Sequence, residues 1–294
     1  MRYKHLVTFL TESLGYILSK IDECFLYRKD CIIIMYVDDI GIAAKEMSTI
    51  DNIVKKLRDG GFELTKDSSF EEYLGIQFVR NKDGSVLMNQ PGLIDKIIKT
   101  MGMDMCNPNK TPATKLPLGK DVDGEPMEEK WDYRSIVGML LYVSSNTRPD
   151  ISYAVSQVAR FSYGPKKSHA TALKMIARYL AGTKDKGIIF NPTKDFKLEC
   201  YVDADFAGLY GIEDDSDSTS AKSRTGYIVF LGNCPTIWKT QLQSEVSLST
   251  LDSEYVALSQ SLRTVIPMQT LLKEVIPTIT IPKITYSQFD YNHF

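Results

Sequence analysis

CIIIMYVDDIGIA, residues 31–43, sets two adjacent carboxylates, Asp38 and Asp39, inside an otherwise apolar run. Such a run calls for a buried strand, and a carboxylate is costly to bury unless something positive replaces its water. A divalent cation would do so, and so would a reverse turn that lifts the pair clear of the core. The flanks CIIIMYV and IGIAA both have strand character, so the simplest geometry is a β-hairpin with Asp38 and Asp39 in its turn region. On these residues alone two readings stay open. One is a solvated acidic turn; the other is an anchor for magnesium, which takes hard oxygen ligands from one or two carboxylates.

Outward from the hairpin, the first eighteen or so residues have helical spacing, with Leu6, Phe9, Leu10, Leu14, Ile17 and Leu18 on one side. DECFLYR reads as a strand, residues 48–59 as a helix begun by Ser48 or Thr49 and stopped by Gly60-Gly61. YLGIQFVR-NKDG-SVLMNQ is a second hairpin, and PGLIDKIIKTMG a short helix. Residues 106–130 are rich in Pro, Gly and charge and read as an exposed connecting segment. Helical patterns return in YRSIVGMLLYVSSN, DISYAVSQVARFS and SHATALKMIARYLAGT. The last third gives strands in KLECYVDADFAG, TGYIVFLG and TIWKTQ, a long helix from about Thr250 to Glu274, and a strand around ITIPKITY. Three strands can form a meander, and the helix can cross over to set the fourth strand parallel beside the first. That makes a compact α/β unit of about 100 residues.

At 294 residues, 43% hydrophobic and 24% charged, the chain has the composition of a soluble globular protein of one large or two ordinary domains. Five scattered cysteines with no Cys-x-x-Cys pair argue against a disulfide framework or a structural zinc site, and suit a cytoplasmic or nuclear setting. The start MRYKHLVTFLTESLGYILSK lacks the pattern of a signal peptide, and CIIIMYV is too short to span a membrane. The formal net charge of −2 gives no general attraction to nucleic acid, so such a partner must be held by local patches.

Further carboxylates stand at element ends. Asp203 and Asp205 close the strand of ECYVDADFAG, and Glu254 lies about one turn into the long helix, which Ser249 or Thr250 can cap. Glu254 shares a side with Ala257, Leu258 and Leu262, so it either points at a site above the strand ends or complements the helix dipole. Asp290 comes after the last strand; parallel pairing would set it beside Asp203, and otherwise it is an ordinary terminal residue. Two strand carboxylates and one helix carboxylate can hold two metal ions about 4 Å apart, the arrangement for phosphodiester cleavage. Asp203-Ala204-Asp205 also has the form of the metal anchor of sugar-nucleotide transferases, but nothing else supports such a domain. Arg160, Lys166, Lys167, Lys174, Arg178, Lys184 and Lys186 form a basic stretch. His169, Lys174 and Arg178 could face a phosphate backbone from one helix, or belong to a solvated face.

These stretches together resemble the end of the copia-type (Ty1/copia) retrotransposon polyprotein: the later part of reverse transcriptase succeeded by RNase H. YVDDI resembles the polymerase catalytic turn. YLGIQ, GMLLYVSSNTRPDISYAVSQVARF and the spaced His169-to-Thr183 motif resemble the region beyond that turn. YVDADFAG, SRTGYIVFLG, the W-K of TIWKTQ and SLSTLDSEYVALS resemble the start of RNase H. The matches lie in family order over nearly the whole chain.

The resemblance implies an α/β (α+β) protein: partial polymerase palm/thumb over 1–105, linker and helical connection over 106–195, and an RNase H-like mixed-sheet domain over 196–294. It implies metal-ligating, catalytic roles for Asp38 and Asp39, and for Asp203, Glu254 and Asp290, with magnesium or manganese as cofactor. The implied partners are RNA, DNA and RNA–DNA hybrid, together with an upstream polyprotein half, and no membrane. In that family a further polymerase Asp comes from an earlier strand and RNase H continues past the position of Asp290. Both sites are therefore expected to be incomplete within these residues, with polymerisation absent and ribonuclease activity open. A scaffold reused without catalysis, binding nucleic acid or protein, is the alternative. The segment GLYGIEDDSDSTSAKS is more acidic than expected beside a hybrid groove and would repel phosphate unless metal, Lys222 or Arg224 offset it.

Overall fold

The computed structural model describes residues 2–66, 70–114, 116–193, 196–211, 219–277 and 283–286, and it is a mixed α/β structure with several sheets. Two compact units divide the chain: Met1–Tyr73 with Thr264–Ile281, and Leu74–Arg263 with Pro282–Phe294.

The first unit begins with α1 (Arg2–Thr8), which runs on as a π-helical turn, Phe9–Ser13. The helix stops at Leu14, and Gly15 takes φ +70°, a left-handed conformation that costs glycine little. Ile17 and Leu18, expected on the helix, consequently form a strand, β1 (Ile17–Leu18). Then come β2 (Phe25–Arg28), β3 (Cys31–Tyr36), β4 (Asp39–Ala44), α2 (Met47–Asp59) and β5 (Glu72–Tyr73). Strands β1 to β4 lie in that order, each antiparallel to the next. On β3 the side chains alternate: Cys31, Ile33 and Met35 are buried, while Ile34 and Tyr36 are 47% and 55% exposed. The apolar run is thus half-buried, as befits an antiparallel sheet covered on one face. Ile53 and Leu57 of α2 join Leu10, Leu26, Ile33 and Met35 in the core beneath it.

In the second unit β6 (Ile76–Arg80) and β7 (Val86–Asn89) form the expected hairpin, closed by Asn81 N–H donating to the Ser85 carbonyl at 2.8 Å. Helix α3 (Pro91–Thr100) starts on a proline, whose missing N–H no helix would use there. Helices α4 (Tyr133–Asn146), α5 (Ser152–Ala159) and α6 (Lys167–Ala181) come next, with a 3₁₀ turn, Pro149–Ile151, before α5. Asp132 caps α4 by accepting from Ser135 N–H at 2.6 Å. Ile97, Ile136, Leu140, Val155, Leu173 and Leu180 are fully buried among these helices. Strand β8 (Ile188–Phe190) returns to pair antiparallel with β7.

The segment 106–130 carries little regular structure, yet it is tied along α6. Arg178 Nε donates to the Asn107 carbonyl at 2.6 Å, Asn109 N to the Arg178 carbonyl at 3.2 Å, and Lys167 N to the Glu125 carbonyl at 2.9 Å. It is a fastened strap rather than a free linker.

The closing sheet adopts the topology its sequence suggests. β9 (Leu198–Asp205), β10 (Arg224–Leu231) and β11 (Cys234–Leu242) form an antiparallel meander. Gly232 and Asn233, with φ +57° and +68°, make the tight turn between β10 and β11 that matches strand twist. After α7 (Thr250–Val275), β12 (Lys283–Tyr286) lies parallel to β9, pairing Lys283 with Glu199 through to Tyr286 with Val202. Pro267 sits inside α7, where it removes the donor that would reach the Arg263 carbonyl, and the division between units falls at Arg263. Among the described residues no helix is long and apolar enough to cross a membrane.

Candidate functional site

The sequence-nominated carboxylates fall at two places, one in each unit. In the first unit Tyr36 and Asp39 are the last pair of the β3–β4 ladder, so Val37 and Asp38 form the turn and Asp39 opens β4. Both carboxylates are exposed. Val37, at the tip and 87% exposed, has φ +53°. That conformation crowds a β-branched side chain and costs about 1–2 kcal/mol for an L-residue. Strain of this kind persists only where the surroundings impose it, and it gathers at functional sites. Val37→Gly is expected to stabilise the chain by about 0.5–1 kcal/mol in urea unfolding, the relief of strain exceeding the added freedom of the unfolded chain.

In the second unit the structure brings Asp203 and Glu254 together. Asp203 lies on β9 opposite Gly226 of β10 and beyond the last β12 pair. Glu254 approaches from the first turns of α7, and its Oε1 accepts a hydrogen bond from Ala204 N–H at 3.3 Å. Its Oε2 is buried without a hydrogen-bond partner. Burial first, and the Asp203 charge second, raise the Glu254 pKa against the Ala204 N–H, which lowers it. Burial raises Asp203 as well, the neighbouring Asp205 charge adding to it and the Ala204 N–H opposing. Asp205 ends β9 with its carboxylate turned onto the Gly208 turn, where a Cβ would come within 2.1 Å of Oδ2. Two mutually repelling carboxylates with an orphaned buried oxygen are a donor set suited to a hard divalent cation. Among the described residues no third His, Cys, Asp or Glu completes a cluster with either carboxylate pair. Asp290 lies outside the described residues, as do residues 212–218 of the acidic loop.

Helix α7 is set by a reciprocal cap. Asp252 N–H donates to Ser249 Oγ at 3.1 Å, and Leu248 N–H donates to Asp252 Oδ2 at 3.0 Å. Behind it lies a buried polar cluster that sequence reasoning missed: Gln243, Ser247, Ser253 and Thr225. Gln243 Nε2 donates to Thr225 Oγ1 at 3.1 Å and to the Ser253 carbonyl at 2.9 Å, while Ser247 Oγ donates to Gln243 Oε1 at 3.0 Å. Its only trace in sequence is a Ser-rich stretch, LQSEVSLSTLDSE, between strand and helix.

The basic helix does not present His169 to solvent. The ring is 1% exposed and stacks on Phe161 with centroids 3.9 Å apart. Nδ1 accepts from Lys166 N–H at 2.8 Å and Nε2–H donates to the Gly119 carbonyl at 2.9 Å, which leaves neither nitrogen for a phosphate. Lys174 pairs with Glu129, and Arg178 Nε donates to the Asn107 carbonyl. All three residues contact the 106–130 strap. Burial chiefly lowers the His169 pKa from 6.5, with Gly119 and Asp121 opposing. A depressed value means stability fully present above about 6.5 and lost as pH falls, because the unfolded chain takes the proton first. Melting temperature is therefore expected to drop on acidification below that value, less steeply in His169→Gln.

Residues 7–115 match the family model of reverse transcriptase (RNA-dependent DNA polymerase). The chain is 33% identical over 278 residues to the retrovirus-related Pol polyprotein from transposon RE1 of Arabidopsis thaliana, covering 93% of this chain and 18% of that one. It is 32% identical to the corresponding polyprotein from transposon TNT 1-94 of Nicotiana tabacum, covering 90% of this chain and 20% of that one. It thus spans about a fifth of the length of these relatives. An uncharacterized mitochondrial protein of Arabidopsis thaliana is 30% identical over 77% of this chain and 90% of its own length.

Proposed function

Since this chain belongs to the Pol polyprotein family of copia-type retrotransposons and carries a reverse transcriptase-like domain, we propose that it contributes to two nucleic-acid sites. One is a polymerase turn at Asp38 and Asp39. The other is an RNase H-like nuclease site at Asp203 and Glu254. The observation that carries the second is Glu254, whose Oε1 is held by the Ala204 N–H beside Asp203 while Oε2 is buried and unpartnered. The pairing of β12 with β9 supports the RNase H-like reading, with a parallel strand beside a meander and a helix between.

Asp203 and Glu254 would hold magnesium or manganese, with Asp290, which lies outside the described residues, as the third carboxylate that the family resemblance implies. When bound, the cation supplies Lewis-acid stabilisation of charge on a scissile phosphate. The chain's own part is to direct the carboxylates. Strand β9 fixes Asp203, and the capped first turns of α7 bring Glu254 to it. At the hairpin, Asp38 stands clear in the turn and Asp39 is anchored by the ladder, an exposed pair suited to a cation that also contacts substrate phosphates. RNA, DNA and their hybrid are the partners this reading implies. Asp38 and Asp39 supply one arm of a polymerase site, which has to align both attacking hydroxyl and leaving group.

The test is a pair of assays on the 294-residue chain. RNA in an RNA–DNA hybrid is expected to be cut with magnesium or manganese and spared by Asp203→Asn, and a primed RNA template is expected to show no extension. Salt-dependent hybrid binding without cleavage, unchanged in Asp203→Asn and Glu254→Gln, would favour a scaffold reused for binding alone.

A further inference from the structure

We propose that Gln243 is a positioning residue for the Asp203–Glu254 site, its buried amide fixing the first turns of α7 at the register of Ala204. The inference rests on the reading of those carboxylates as cation ligands.

Gln243 is 1% exposed and its side-chain hydrogen-bonding groups are engaged. Both Nε2 protons are used, on Thr225 Oγ1 and on the Ser253 carbonyl, and Oε1 takes the Ser247 hydroxyl. No amide proton is left for a ligand, so the role is to orient. The two donor bonds run to different elements. Thr225 is the β10 residue paired with Ala204 of β9, and Ser253 immediately precedes Glu254 in α7. One amide therefore ties the strand register that carries the Ala204 N–H to the helix turn that carries the carboxylate accepting from it. The strand end is held in turn, because Gln243 N–H donates to the Ser223 carbonyl at 2.8 Å and Ser223 Oγ accepts from Ala207 N–H at 3.2 Å.

The energetics favour a directional role over simple filling. A buried amide is costly unless fully hydrogen-bonded, and an apolar side chain of equal size would fill the same space without that demand. What the amide adds is direction. The Ala204–Glu254 contact, at 3.3 Å, lies just beyond the usual N–H···O range. A shift of the helix start by a few tenths of an ångström would break it, and ligand geometry for a divalent cation is similarly intolerant.

The experiment uses the full chain with Gln243→Met, the milder Ser247→Ala, and Ile136→Val as a destabilised comparator in the helical core. Hydrogen exchange at the Ala204 amide is read without metal, and manganese affinity is read by electron paramagnetic resonance. Ala204 exchange is expected to quicken about tenfold in Gln243→Met, and less in Ser247→Ala. Manganese affinity is expected to fall about tenfold in Gln243→Met, in the range seen when groups behind metal ligands are removed. Ile136→Val should lower the melting temperature and leave both readouts alone. Unchanged Ala204 exchange in both site variants, or an equal change in Ile136→Val, would overturn the positioning role. A parent chain that binds no manganese overturns the cation reading instead, and the Ala204 readout still decides whether Gln243 positions Glu254.

Discussion

Arg148→Met is expected to cost about 2–4 kcal/mol of stability and to lower the melting temperature by about 5–15 °C. The guanidinium is 1% exposed. It donates to both oxygens of Asp150 at 2.9 and 2.7 Å, and to the carbonyl and hydroxyl of Thr183 at 2.8 and 2.7 Å. Tyr179 closes the cluster, its hydroxyl donating to Asp150 Oδ2 at 2.8 Å and its ring lying 5.5 Å from the guanidinium carbon. The cluster thus joins the 3₁₀ turn before α5 to the end of α6. Removing one partner of a buried pair strands the other charge, but the Asp150 side chain is 37% exposed, which keeps the cost below that of a fully buried pair. Burial works against the Asp150 carboxylate, yet the Arg148 and Tyr179 hydrogen bonds outweigh it and hold its pKa below the ordinary value. Its contribution is therefore present above the unfolded value near 4 and lost as pH falls through the depressed one. Thermal melts of both proteins at neutral and acid pH check the size and the sign. A loss under 1 kcal/mol would mean the cluster is a surface ion pair in effect.

Glu254→Gln is expected to raise the melting temperature of the metal-free chain by about 1–3 °C while abolishing divalent-cation binding at the site. Burial and the Asp203 charge both raise the Glu254 pKa, so ionising it disfavours the folded state. The linkage runs opposite to that of Asp150. Stability is fully present below the unfolded value near 4 and is lost as pH rises through the raised one. At neutral pH an amide removes the repulsion and keeps an acceptor oxygen for the Ala204 N–H. A ligand role and a merely structural role then part company, since a structural Glu254 would lose stability on substitution. Differential scanning calorimetry with and without manganese reads both effects.

Much of this architecture is legible in the residues. The Gly60-Gly61 stop, the NKDG turn and the spacing of the last third give helices, hairpins and a crossover close to those observed. Local pattern suffices where one element answers to its own neighbours. It fails where distant elements decide. Ile17 and Leu18 continue a helical stripe, but the left-handed Gly15 ends the helix and β2 claims them as strand partners. His169 looks like a basic-face residue until the strap supplies the Gly119 carbonyl and Phe161 its ring. Glu254 and Asp203 are nameable singly, and their meeting depends on a capped helix start. That start is held by Gln243, whose partners come from β10, the loop after β11 and α7, so no sequence period marks it.

The most direct test of the account is manganese titration of the full chain, with amide resonances monitored for paramagnetic broadening. Saturable broadening centred on Ala204 and Gly226, lost in Asp203→Asn and in Glu254→Gln but retained in Asp38→Asn, is the predicted result. Ala204 and Gly226 resonances that stay sharp on titration, or whose broadening survives both substitutions, would contradict a cation site at Asp203 and Glu254.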